Sequence, residues 1–197
     1  MKKHLKWIAL GLAFTMACPL NAQITLVKKQ RPVARICVVG DKEPEKQAAT
    51  LLQDFVQRIS KAQLPIVDGV SEFRKGDIVI GEPDAKVGED GFSLTTTDNR
   101  LYIRTGGDKG SIYGVVTLLE KWLGVSYYAK DAYTLQPMET IELPAMAHSE
   151  TPAFRYRQTF SYGNEDPIYR MWFRLEEPKE MFIDNLWVHT FNRILPS

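Results

Sequence analysis

Apolar side chains recur along the chain with two periods, one typical of strands and one typical of helices. The segments "ITLVKK" and "ARICVVG" are rich in β-branched residues, which predicts two early strands. From Ala48 to Ile59 the apolar residues fall three or four apart, so an amphipathic helix is predicted, with Pro44 in its first turn. A second helix is predicted from Ile112 to Trp122, and Gly124 ends it.

Shorter apolar segments fill the intervals around these helices. The first, "LPIVDG", is predicted to be a short strand or an extended turn. The strand-forming segments that follow are "GDIVIG", the hairpin "DGFSLTTTDNRLYIRTGG" that turns at Asp98-Asn99, "VSYYA" and "METIELP". The predicted order is β-β-α-β-β-β-β-α-β-β, which has too few helices for a doubly wound sheet. We therefore expect an α+β fold with one mixed β-sheet and two helices on one face.

Residues 1–22 form a pattern of their own. Lys2, Lys3 and Lys6 precede an apolar core that is too short to span a bilayer, and a cleavage position follows at Ala22. Residues 1–22 are therefore predicted to be a signal peptide, and the protein to be exported to the periplasm, the cell surface or the medium. Cys18 offers a lipid-anchor alternative, and the protein would meet a membrane only through that anchor.

Charge and cysteine usage narrow the class of protein. The formal net charge is +1, whereas a nucleic-acid-binding domain normally carries a basic patch, so no nucleic-acid partner is expected. Beyond the signal segment Cys37 is the one remaining cysteine, and its apolar neighbours predict a buried small side chain rather than a nucleophile. Without a disulfide, the exported domain must be held together by its core.

Composition divides the mature chain into an α+β unit, a linker and an aromatic-rich segment. Residues 23–144 hold the predicted α+β unit, and residues 145–152 form a small, polar linker. Within residues 153–197, "FRYRQTFSY" predicts a strand, "DPIYRMWFRLEE" a helix, and "NLWVHTF" a strand or a loop. One strand and one helix do not close a core, so this region is expected to be the first unit of a larger, truncated domain.

The glycine-rich stretch "TGGDKG" before the second helix raises the question of a phosphate site. The Lys109-Gly110 order and the glycine spacing fit neither a P-loop nor a dinucleotide fingerprint, so no nucleotide and no other cofactor is expected. A structural role fits the residues better. Gly106 and Gly107 allow a sharp turn, Asp108 can cap the helix, and Gly110 allows a close approach to the sheet.

The same stretch carries a family resemblance. Together with "IELP" and "TPAFRYRQ", the segment "GGDKGSIYGVVTLLEKWLGVSYYAKD" resembles the N-terminal domain of family 67 α-glucuronidases and the second domain of family 20 β-hexosaminidases. It also resembles large exported proteins of gut bacterial glycan-utilisation systems. The resemblance spans roughly residues 24–158. It implies a small domain without catalytic residues ahead of a (β/α)8 barrel that carries the catalysis.

The resemblance also implies one substrate-binding position. In the hexosaminidase-like pattern an Arg on the first barrel strand grips sugar hydroxyls, and "PAFRYRQ" places Arg157 there, although Gln158 stands where the family usually has Gly. The guanidinium fork suits vicinal hydroxyls or a uronate carboxylate. An arginine at the barrel edge that pairs with an acid remains an equal alternative. Arg155 is the weaker second candidate, because residues two apart on a strand share a face.

Other polar groups give weaker signals. Glu165 and Asp166 are adjacent and do not converge on one bond, so a loop and a helix cap are expected there rather than a catalytic acid pair. His148 and His189 have no partner at metal-ligand spacing, so no metal site is expected. The aromatic residues of the last quarter fit barrel core better than sugar-stacking platforms.

Two functional hypotheses follow from these observations. In the first, the chain is the N-terminal portion of an exported glycoside-hydrolase-like protein that acts on complex glycans. On its own it would then be inactive, because the acid pair of a glycosidase is missing. In the second, it is a self-standing carbohydrate-binding or surface-scaffold module without catalysis.

Overall fold

A computed structural model describes residues 24–176 apart from positions 71, 108 and 160. The predicted signal peptide, the Asp108 cap and the segment after residue 176 lie outside the described residues. The elements follow in chain order: β1 Ile24–Lys28, β2 Arg31–Pro32, β3 Ile36–Val38, α1 Glu43–Ser60, β4 Ile66–Asp68, β5 Ile78–Pro83, β6 Phe92–Thr97, β7 Arg100–Thr105, α2 Gly110–Lys121, β8 Ser126–Ala129, β9 Ala132–Thr134, β10 Ile141–Leu143, β11 Ala147–Glu150, a 3-10 turn Tyr162–Glu165 and α3 Pro167–Phe173.

A six-stranded mixed sheet organises these elements. Its strand order is β11-β6-β7-β5-β3-β4, with parallel pairing from β7 to β4 and antiparallel pairing of β6 with both β7 and β11. The β6–β7 hairpin turns at Asp98 and Asn99, whose φ angles are 52° and 57°. Two successive positive φ angles are typical of a type I′ turn. The hairpin and its turn are confirmed as predicted from the sequence.

Both long helices pack on one face of this sheet. Alternate strand residues such as Ile36, Ile78 and Leu101 form a single buried core with side chains of α1 and α2. The intervening positions lie on the opposite face, where Cys37 pairs in register with Val79, and Val79 with Tyr102. The predicted two-helix layer is confirmed, and Cys37 is fully buried as expected.

The glycine-rich stretch is a structural turn. Gly107 has a φ of 144°, and the carboxylate of Asp90 accepts a hydrogen bond from the Lys109 backbone at the start of α2. A Cβ atom on Gly110 would meet the backbone carbonyl of Gly91, so only glycine lets α2 approach this loop. The close approach predicted for Gly110 is therefore confirmed.

Three features differ from the sequence prediction. The strands do not form one sheet, because β1 pairs with β10 and β2, and β8 pairs with β9, in two smaller sheets. The predicted linker, residues 145–152, contains β11, which extends the main sheet along β6. Residues 154–159 form no strand, and the Arg157 side chain donates instead to the backbone carbonyls of Phe154 and Arg155. Within the described ranges, no helix is both long and apolar enough to cross a membrane.

Candidate functional site

A cluster of largely buried charges lies where the segment after β11 packs against α2. We call this group the polar seam and define it as Asp90, Lys109, Tyr113, Arg157 and Glu176. Asp90 lies in the loop before β6, Lys109 and Tyr113 belong to the start of α2, and the other two lie in the C-terminal segment. The seam thus joins three parts of the chain that are far apart in sequence.

Arg157 lies at the centre of the polar seam, and only 17% of its side chain is exposed. All five of its N–H donors are engaged. Their acceptors are the carbonyls of Phe154, Arg155 (3.1 Å) and Arg174 (2.7 Å), the Asp90 carboxylate (2.8 Å) and the Tyr113 hydroxyl (3.1 Å). Burial tends to lower the pKa of Arg157, but the hydrogen bonds to Asp90 and Tyr113 outweigh it and raise the pKa.

Asp90 connects this arginine to the start of α2. Its backbone has a φ of 62°. This is a left-handed conformation that Asp tolerates better than most residues. One carboxylate oxygen accepts from the Lys109 backbone at 3.2 Å, and the other accepts from Arg157. Asp90 therefore places a negative charge at the N-terminus of α2, where the helix dipole favours it.

Glu176 closes the seam from the C-terminal side. Its carboxylate pairs with the Lys109 ammonium group and lies 3.6 Å from the Arg157 guanidinium. The hydroxyl of Tyr113 is buried against these charges, and burial is the main reason why its pKa is raised. The two acids of the seam thus balance the charges of its lysine and its arginine in a largely enclosed site.

A second group of charges centres on Glu150, at the end of β11. Its carboxylate binds Arg174 at 2.9 Å, Lys121 at 2.8 Å and His148 at 2.8 Å, and Arg174 also donates to the Thr117 hydroxyl. Burial opposes ionisation of Glu150, but the bonds from Lys121, Arg174 and His148 outweigh burial and lower its pKa to about 2. Glu150 therefore ties α2 to the residue that follows α3.

Trp172 anchors the same segment by apolar contact. Its ring, only 3% exposed, lies 5.0 Å from the rings of Phe55 on α1 and Tyr127 on β8. The indole N–H donates to Glu120 at 2.6 Å, so the polar atom of the ring is satisfied. The Tyr127 hydroxyl donates to Asp166, the N-cap of α3, and burial is the first cause of the raised pKa of that tyrosine.

This arrangement holds segments together rather than offering a reactive group. Asp90, Glu150 and Glu176 are each paired with arginine or lysine, whereas glycoside hydrolysis uses two carboxyls that flank an open site. Across the described part of the chain, no group of three or more His, Cys, Asp and Glu side chains is arranged to hold a metal ion. The seam is therefore an internal docking interface.

Comparison with known protein families identifies the family of this chain. The sequence model described as "Glycosyl hydrolase family 20, domain 2" matches residues 22–145, well over half of the chain. The chain belongs to the glycosyl hydrolase family 20, domain 2 family. No curated protein matches it.

Solved structures of family 20 enzymes are similar to this family 20 domain at low sequence identity. The β-N-acetylhexosaminidase from Streptomyces coelicolor A3(2) is 18% identical, with 70% of this chain and 25% of that chain covered and a TM-score of 0.49. A mutant Streptomyces plicatus β-hexosaminidase is 16% identical, with the same coverage and TM-score. The exo-β-N-acetylglucosaminidase from Vibrio harveyi is 18% identical, with 68% and 18% covered and a TM-score of 0.45. The chain thus spans a quarter or less of these proteins.

The two arginines predicted to bind substrate lie in different environments in the family 20 chain. Arg157 is enclosed in the polar seam, whereas 82% of the Arg155 side chain is exposed and its guanidinium pairs with Glu89 at 3.3 Å. The expectation that they share a face assumed a strand, and residues 154–159 form none. Arg157 pairs with an acid, Asp90, which is the alternative that the sequence analysis left open. Sugar binding by either residue stays a prediction.

The polar residues that gave weaker signals in the sequence lie in a helix cap, a turn and an ion pair. Asp166 caps α3 by accepting from the Ile168 backbone at 2.9 Å, as expected, and Glu165 lies in the 3-10 turn. His148 contacts Glu150 and the ring of Trp122. His189 lies outside the described residues. Among the described side chains of this set, none meets another in a catalytic arrangement.

Sequence reasoning missed two acids, Asp90 in the polar seam and Glu150 in the second group of charges. Asp90 precedes Gly91 in "EDG", which signals a turn, and nothing local indicates a partner 67 residues away. Glu150 lies in residues 145–152, which the sequence analysis assigned to a polar linker. A signal that could have found Glu150 is the alternation of "AHSE", which fits a short edge strand.

Proposed function

We propose that this chain supplies domain 2 and the first part of the following domain of an exported, glycoside-hydrolase-like protein. Its role is to hold that following domain in place. The observation that carries this proposal is the polar seam, in which Asp90 and Tyr113 of the family 20 domain engage Arg157 of the segment that follows. A segment fixed at several points along α2 starts the next domain at a defined position and angle.

The internal charge balance supports a role without catalysis. General acid catalysis needs a carboxyl that can be protonated near neutral pH, and a raised pKa is the usual device. Among the described carboxyls of the interface, Glu150 has a large pKa shift, and the shift runs in the opposite direction, to about 2. In this proposal the catalytic acids belong to a barrel-type domain that residues 153–197 begin.

The substrate class follows from the relatives and from the chemistry of the two arginines. The named relatives are a β-N-acetylhexosaminidase, a β-hexosaminidase and an exo-β-N-acetylglucosaminidase. The resemblance to family 67 adds uronic acids, so the proposed substrate is a glycan that carries N-acetylhexosamine or uronic acid. Because all five donors of Arg157 are engaged, the exposed Arg155 is the better placed of the two to meet a sugar. Export is part of the proposal and rests on the pattern of residues 1–22.

Two assays on the mature chain and its gene test this function. Residues 23–197 are incubated with chromogenic N-acetyl-β-glucosaminide and α-glucuronide, and the reading frame beyond the codon for Ser197 is sequenced. We expect no turnover above the rate in buffer, and a frame that continues into a domain rich in carboxylates. Glycosidase turnover by residues 23–197 alone would overturn the non-catalytic role, and a native exported product of this length would overturn the supporting role.

Exposed aromatic rings favour a second candidate, a self-standing glycan-binding module. Phe154 is 75% exposed, Tyr162 96% and Phe173 42%. Apolar sugar faces stack on such rings. Affinity electrophoresis of residues 23–197 in gels that contain chitin oligomers or acidic polysaccharides tests this function. Retardation that is lost in Tyr162→Ala and retained in Val33→Ala would favour the module, and unretarded migration in all the gels would exclude it for those glycans.

A further inference from the structure

A continuous groove runs between α1 and α3. It consists of two adjoining cavities of about 570 and 310 Å³ that share Glu43, Gln47 and Met171 as lining residues. We call it the α1–α3 groove. The lining of the larger cavity extends along α1 as far as Gln57, and the lining of the smaller one includes Lys109 and Leu175.

The two walls of the groove differ in chemistry. The α1 wall is mainly polar and includes Thr50 and Gln53, whereas α3 contributes the half-buried apolar side chains of Ile168 and Met171. A groove with one polar and one apolar wall fits a segment that carries apolar side chains on one side and polar groups on the other. Left open, it would expose apolar surface to water.

The chain itself leads into this groove. Leu175 lines the smaller cavity, and Glu176, the last described residue, is fixed beside it by Lys109 and Arg157. The described part of the chain therefore ends beside the smaller cavity. The segment from 177 to 197 holds large apolar side chains that require cover: Met181, Phe182, Ile183, Leu186, Trp187, Val188, Phe191, Ile194 and Leu195.

We propose that residues 177–197 dock into the α1–α3 groove. Length permits it, because the stretch of α1 from Glu43 to Gln57 spans only about 21 Å at the ordinary helical rise. The segment reaches at least about 30 Å in any regular conformation. Docking covers Ile168 and Met171 and gives the apolar side chains of the segment a surface to bury. The proposal goes beyond the supporting function, since it also applies to a self-standing module.

Thiol labelling of a groove residue in the mature chain tests the docking. Thr50→Cys introduces an exposed thiol in the groove, and Val33→Cys, where the side chain is 54% exposed and lines a different cavity, is the matched control. Cys37 is fully buried, so it gives little background. We expect Thr50→Cys to react with a maleimide at least about tenfold more slowly than Val33→Cys.

A second variant ties any protection to the segment. Phe182→Asp combined with Trp187→Asp is expected to restore the labelling of Thr50→Cys to the rate of the control, while the far-ultraviolet circular dichroism stays unchanged. Equal rates for Thr50→Cys and Val33→Cys in the undisturbed chain would overturn the proposal. Protection that disappears on dilution would also overturn it, because a second copy rather than residues 177–197 would then cover the groove.

Discussion

The Arg157 guanidinium donates to the Asp90 carboxylate at 2.8 Å across 67 residues of sequence, and both side chains are largely withdrawn from water. Asp90 belongs to the loop that caps α2, and Arg157 belongs to the segment that leaves the family 20 domain. The pair therefore joins the domain to whatever follows it. Removal of one partner of a buried ion pair strongly lowers the stability of the fold, because the remaining partner is left charged and unpaired.

Trp172 is expected to contribute most of the apolar part of this docking. Trp172→Ala removes the contacts with Phe55 and Tyr127. It should lower the free energy of unfolding by about 3 kcal/mol or more. Trp172→Phe keeps an aromatic ring and loses the hydrogen bond to Glu120. For that variant a smaller loss, of about 1 kcal/mol, is expected. Urea unfolding measures both losses, and equal losses in the two variants would show that ring packing is not the main contribution.

Gly110→Ala should destabilise the protein even though alanine favours helices. The new Cβ atom would meet the Gly91 carbonyl and would lie 2.5 Å from the Thr105 hydroxyl. We expect this overpacking to cost about 2 kcal/mol. Gly124→Ala is the control, because its φ of 65° strains a Cβ atom that has free space. That strain alone should cost about 1 kcal/mol. A melting temperature for Gly110→Ala at or above that of the unsubstituted protein would contradict the close approach.

Glu150 should make the stability of the interface depend on acid pH. Its folded pKa of about 2 lies below the ordinary value of 4.5, so the stabilisation is fully present above pH 4.5 and is lost as the pH falls towards 2. About a quarter of the side chain meets water, which weakens the contribution by screening. We therefore expect a contribution of about 1 kcal/mol. Urea unfolding of the protein and of Glu150→Gln between pH 7 and 2 should show the two curves converging below pH 4.5, and a constant difference would contradict the assignment.

Cys37 should be inert in the folded protein. Burial raises the pKa of its thiol to about 11, and the side chain has no exposed surface. At pH 8 a disulfide reagent should react with residues 23–197 only after urea is added, with one thiol per chain. Rapid reaction of the native protein would mean that the face of the sheet opposite the helices opens readily.

The elements that the sequence predicted well are those set by local pattern. Amphipathic spacing and Pro44 defined α1, and Asp98-Asn99 defined the hairpin turn, because neighbouring residues determine these features. The pairing of β1 with β10 joins strands at opposite ends of the domain, and no local pattern reports such a partner.

The site was harder to predict than the fold. The predicted strand over "FRYRQTFSY" failed because alternation of aromatic and basic residues was taken as strand periodicity, while Arg157 bonds the carbonyls of Phe154 and Arg155. The family resemblance had drawn attention to Arg157, but it did not indicate which residues Arg157 contacts. Asp90 and Tyr113 come from distant segments, and only the folded chain brings them together.

A double-mutant cycle between Asp90 and Arg157 tests the central claim, that the family 20 domain holds the following segment through the polar seam. Unfolding free energies of Asp90→Asn, Arg157→Ala and the double variant give the coupling energy. The neighbouring pair Glu89 and Arg155, at 3.3 Å but mostly exposed, is the matched control. Its expected coupling is about 0.5 kcal/mol or less. We predict a coupling of about 2 kcal/mol for Asp90 and Arg157. A coupling no larger than that of the control pair would contradict the claim.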